Sequence, residues 1–180
     1  LLSNIWQAPN QQWFGALLAK TFSTYHEMFN IFKKRAPEFI SHRYKDLVID
    51  LPSHWQYELE EGDLEACFDP NSQSTLRLYI IKAVAPLHSS SEQNIADLTS
   101  GLPYIITSDD LVLTKFISED IKEGNSELTI LTWRLIDVKS IEKIAAIITY
   151  TVLSDRINST SEKEAVQMIE RSLQTAKFID

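Results

Sequence analysis

The residues able to do chemistry are few and scattered. The four histidines are His26, His42, His54 and His88. No two of them form an HxH, HExxH or HxxxH pair that would set two imidazoles on one face around a metal. His26 falls in a helical pattern, His42 and His54 flank a strand pattern, and His88 lies in a polar loop, so each reads as a surface or packing histidine. Cys67 is the only thiol, which rules out an internal disulfide and a thiolate metal cluster. Its setting, Leu64-Glu65-Ala66-Cys67-Phe68, alternates like a strand and brings no local cation to lower its pKa, so a buried inert thiol is expected.

Adjacent carboxylates occur at Glu60-Glu61, Asp109-Asp110 and Glu119-Asp120. Neighbours on a strand point to opposite faces, and those in turns are solvated, so a catalytic pair would need convergence from separate elements. The four glycines, Gly15, Gly62, Gly101 and Gly124, are too far apart to cradle a phosphate. Ser89-Ser90-Ser91 lacks the flanking glycines of a nucleophile elbow and reads as a loop or helix cap. The expectation is therefore no catalytic residue, no cofactor-binding residue and no metal ligand, with an enzyme the less favoured class.

Charge narrows the partners. The formal charge is −8, and such an average field repels both nucleic-acid phosphates and anionic bilayers. The densest basic run, Lys33-Lys34-Arg35, sits at an expected helix end, where cations suit the macrodipole. No window reaches the roughly 18 apolar residues that span a bilayer, so no integral membrane protein is expected. A cytoplasmic setting is expected; because the first residue is Leu1 rather than Met, a signal segment removed ahead of it would make the setting periplasmic or lipid-anchored.

The elements that must position these residues follow from hydrophobic rhythm. In 180 residues one domain, residues 1–180, is expected. Residues 10–34 place Phe14, Leu17, Leu18, Phe22, Tyr25, Met28, Phe29 and Phe32 along one helical stripe, ended by the basic run and Pro37. The period then becomes two. Leu47–Leu51, Trp55–Leu59, Leu64–Phe68 and Thr75–Ala83 read as strands, with Gly62 supplying positive φ in the turn between the second and third. Ser89 to Glu92 caps a short helix through Leu98, ended by Gly101 and Pro103. Strands at 111–121, 126–138 and 141–153 form a meander with a turn at Glu123-Gly124-Asn125.

A last helix buries Ala165, Val166, Ile169, Leu173 and Ala176, with Ser161 and Glu164 as its capping box. Strands in runs with helices at both ends predict an α+β fold: an antiparallel sheet of about six to seven strands packed by the long N-terminal helix and the C-terminal helix. Trp55 and Trp133 belong to its core, while Trp6 and Trp13 fasten the first segment.

Four stretches of residues 44–180 form a pattern: Leu51-Pro52-Ser53-His54-Trp55, Phe68-Asp69-Pro70, Leu76-Arg77-Leu78-Tyr79-Ile80 and a final helix ending Ala176-Lys177-Phe178. In these, residues 44–180 resemble the PsbP-like fold of the photosystem oxygen-evolving subunit, the Ran-binding import factor and small bacterial accessory proteins. His54 stands where that family often has Gly, and residues 10–34 lie outside the likeness. The resemblance implies a non-enzymatic scaffold that binds another protein through a sheet face, an edge or a groove. The alternative is a small enzyme or ligand carrier with a pocket between the long helix and the sheet, lined by Trp55, Tyr57 and Phe116.

Overall fold

The computed structural model describes residues 37–62, 64–84, 91–138 and 142–179. The helix expected over 10–34 lies outside the described residues, as do His26, His88, Trp6, Trp13, the basic run 33–35, Ser89 and Ser90. The elements below belong to one compact unit, Glu38–Asp180.

The fold is α+β, with every strand pairing antiparallel. A small sheet has the order β1-β2-β11, from β1 (Phe39–Tyr44), β2 (Leu47–Pro52) and β11 (Lys177–Phe178). An eight-stranded sheet takes β3 (Gln56–Leu59), β4 (Glu65–Phe68), β5 (Thr75–Val84), β6 (Tyr104–Ile106), β7 (Val112–Thr114), β8 (Ile117–Glu123), β9 (Ser126–Asp137) and β10 (Glu142–Leu153). Its order is β3-β4-β5-β10-β9-β7-β6, with β8 also beside β9. Among the described residues two helices complete it, α1 (Ser91–Thr99) and α2 (Thr160–Thr175).

Two expectations about the strands are corrected. The single sheet is in fact two, because β2 ends at Pro52 and the chain turns at Ser53-His54 before β3 begins. Pro52 has no N–H to extend a ladder, and β2 pairs with β1 and β11. The strand expected at 111–121 is broken. Leu113 pairs with Leu135, but Ile117 pairs with Thr132, so four steps along one strand match three along the other. That is a β-bulge, and the Thr114 hydroxyl accepts the Arg134 N–H there at 3.0 Å. The extra residue reverses the side-chain phase, which sets Phe116 against Trp133 with ring centroids 5.9 Å apart.

The core lies on one face of the large sheet. Register rows there are Leu76–Tyr150–Leu131, Leu78–Ile148–Trp133 and Ile80–Ala146–Leu135, all buried. Ala165, Ile169 and Leu173 of α2 and Leu47, Ile49 and Leu51 of β2 join the same cluster. Period two in the strands and a helical stripe in α2 thus converge on a single apolar layer. The cap of α2 is Ser159, whose hydroxyl accepts the Glu162 N–H at 3.3 Å, so the capping pair lies two residues before the expected Ser161 and Glu164. Among the described residues no helix is long and apolar enough to cross a membrane.

Candidate functional site

Cys67 is fully buried in the core, and burial, with Glu65 nearby, pushes its thiol far above the ordinary range. It is no nucleophile as folded. Beside it, His42 of β1 reaches across to the large sheet. Its ring stacks on Tyr57 at 4.0 Å and 12°, and its Nε2 lies 2.9 Å from Glu65 Oε1. The contact lacks hydrogen-bond alignment: His42 Nε2, the Tyr57 hydroxyl and Glu65 Oε2 are all buried without a hydrogen-bond partner. Burial, then Cys67 and Glu65, push the Tyr57 phenol up to about 12. This cluster ties the two sheets together, and a high phenol beside a closed thiol gives it no activated nucleophile. His54 makes a looser 3.6 Å contact with Asp69.

A second polar cluster was not legible in the sequence. Glu162, at the third position of α2, is 3% exposed and points into the sheet. Its Oε1 accepts from Ser74 at 3.0 Å and Ser72 at 3.3 Å, and its Oε2 accepts from Tyr150 at 2.5 Å. Burial and that hydrogen bond hold the Tyr150 phenol well above its usual range, so it remains a donor. The arrangement satisfies a carboxylate inside the core and fixes α2 on β10 and on the turn that leads into β5. The one sequence signal was Ser159-x-x-Glu162, a helix-start pattern.

The carboxylate pairs sit on three different elements. Glu60 forms a double hydrogen bond with Arg77, at 2.8 and 3.0 Å, which lowers its pKa. Asp109 and Asp110 occupy the exposed turn between β6 and β7. Glu119 and Asp120 lie on β8, where Asp120 accepts from Thr129 at 2.6 Å. Among the described residues no three of His, Cys, Asp and Glu are grouped to hold a metal. Trp55 and Tyr57 stand at β3 and Phe116 just before β8, five places apart in the order of the large sheet; the long helix of the expected pocket lies outside the described residues.

What the fold does present is an edge. Among the described residues β8 pairs with β9 alone, and six of its seven residues are exposed. The two-residue loop Gly124-Asn125, with Gly124 at φ 59 and Asn125 outside the left-handed region, matches a type II′ turn and makes Glu123–Ser126 the hydrogen-bonded closing pair. Alternation then turns Ile117, Glu119, Ile121 and Glu123 toward β9, and sends the N–H and C=O groups of Ser118, Asp120 and Lys122 outward. Among the described residues no strand lies beside them. The sheet face away from the core carries Ile121, Leu128 and Leu153 in one register row and Glu119, Ile130 and Thr151 in another, exposed at the β8 residues and half-buried at the others.

No sequence-family pattern matches the chain, and no curated protein matches it. Solved structures do match in shape. A protein of Bacteroides thetaiotaomicron VPI-5482 superposes with a TM-score of 0.54 at 12% identity, over 80% of this chain and 49% of the other. The chain thus spans about half the length of that protein. LpqN of Mycobacterium tuberculosis, described as involved in cell envelope biogenesis, superposes with a TM-score of 0.50 at 11% identity, over 85% of this chain and 97% of LpqN. At these identities the likeness is one of fold.

Proposed function

We propose that the chain is a non-catalytic protein-binding module that takes an extended segment of another polypeptide onto the edge of β8. The observation that carries this reading is the row of outward backbone groups on Ser118, Asp120 and Lys122, in a strand that among the described residues is paired on one side only. Such a row is a template for strand addition, with main-chain bonds giving affinity and alternate side chains giving choice of partner. The buried polar clusters support it indirectly, because both are tied into the packing between elements and offer no activated nucleophile.

The PsbP-like reading of residues 44–180 agrees with a sheet-based accessory role, and the likeness in fold to LpqN favours a setting in the cell envelope over the cytoplasmic one that composition suggests. Fractionation with an antiserum separates those settings. The binding reading is tested with full-length protein as bait in native lysate, side by side with Ser118→Pro. That substitution removes one outward N–H and none directed at β9. A polypeptide held by the wild type and lost by an equally stable variant is the expected result. Retention of the same partners by Ser118→Pro would remove the edge from consideration.

A further inference from the structure

Resting on the edge-binding reading, we infer that the segment bound at β8 is an extended strand of a different protein, basic and apolar at alternate positions, running antiparallel to β8.

Three observations carry this. First, among the described residues the chain covers only the β7 half of this edge. β6 pairs with β7 from Tyr104↔Thr114 to Ile106↔Val112, and the Lys115 N–H donates to the Pro103 carbonyl at 3.0 Å. Upstream of Pro103 the chain leaves the sheet for the turn at Ser100-Gly101. β7 and β8 both lie antiparallel to β9, so a strand antiparallel to β8 is collinear with β6 and runs in its direction. Its C-terminal end approaches Tyr104 and Phe116, which are 46% and 45% exposed.

Second, the side chains of β8 on the exposed sheet face alternate Ile117, Glu119, Ile121, Glu123. An antiparallel strand therefore sets a residue against Glu123, then Ile121, Glu119 and Ile117, at every second position. Cations suit the first and third, and β-branched apolar residues suit the others.

Third, the charge argues against a second copy of this chain. The self-pairing register that uses the whole edge centres on Asp120 and opposes it to its own copy, within a molecule of net charge −8. Acids on an edge keep acidic edges away and admit a basic strand, so the charges that guard β8 from self-association also select its partner.

The test uses full-length protein and two capped heptapeptides, Lys-Thr-Ile-Thr-Lys-Thr-Ile and its counterpart with Glu for Lys, followed by NMR titration of backbone amides. The lysine peptide is expected to shift and protect the Ser118, Asp120 and Lys122 amides. The glutamate peptide is expected to bind roughly tenfold more weakly, two cross-strand pairs having been reversed. The double variant Glu119→Lys/Glu123→Lys should exchange the two preferences. Equal binding of both peptides, with both lost in Ser118→Pro, overturns the basic partner while leaving the edge reading intact. Binding of either peptide that Ser118→Pro does not weaken overturns both. A wild-type chain that dimerises through β8, detected as protection of the same amides that rises with protein concentration, overturns the hetero-partner inference alone.

Discussion

Tyr150→Phe isolates the structural role of the buried carboxylate. The substitution keeps the ring that fills the row between Leu76 and Leu131 and deletes only the hydroxyl that donates to Glu162 Oε2. Glu162 is 3% exposed, so water cannot replace that donor without opening the junction of α2 with the sheet. A hydrogen bond to a charged group contributes about 1.5–3 kcal/mol, and a partner left buried and unsatisfied sits at the upper end. The expected loss is about 2 kcal/mol, which for a chain of this size lowers Tm by about 6 °C. Ser74→Ala should cost less, because the Ser72 hydroxyl remains on the same oxygen at 3.3 Å. Urea unfolding with m held equal measures both. A Tyr150→Phe variant within about 0.5 kcal/mol of wild type would refute the reasoning, since it would mean that the carboxylate holds nothing in place.

Two further outcomes follow from the same geometry. Cys67 should resist a thiol reagent such as dithionitrobenzoate in the native state and react at once in denaturant; fast labelling of folded protein would contradict the burial of β4. Glu60 has its folded-state pKa lowered by Arg77, so its contribution is complete above about pH 5 and is lost as pH falls through the lowered value. With the Arg77 and Glu60 side chains 35% and 33% exposed, that contribution is below about 1 kcal/mol. Glu60→Gln should therefore flatten the acid limb of the stability curve by no more than this, and an unchanged limb would show the pair to be idle.

The parts of the fold legible in the sequence were those set by local rhythm. β5, β9, β10 and the stripe of α2 announce themselves through period two or 3.6, and Gly62 and Gly124, both at positive φ, marked their hairpins. What could not be read was long-range. β1 (FISHRY) has three of its six residues exposed and one buried, so no apolar alternation marks it. The division into two sheets depends on β2 meeting Lys177 and Phe178 from the far end of the chain. The bulge between β7 and β8 carries no Gly or Pro, and residues 111–121 therefore read as one strand. Glu162 looked like a solvated helix acid because its partners Ser72, Ser74 and Tyr150 come from other elements. The acidic character of β8 was visible in its letters, but its position at an edge was not, since strand order is a property of pairing.

The outward amides of β8 carry the edge-binding reading. Hydrogen exchange of the full-length protein, free and with a partner recovered by wild-type bait, should show slowing at Ser118, Asp120 and Lys122 with no change across Val112–Thr114. Partner binding that leaves those three amides exchanging freely and protects another surface would contradict it.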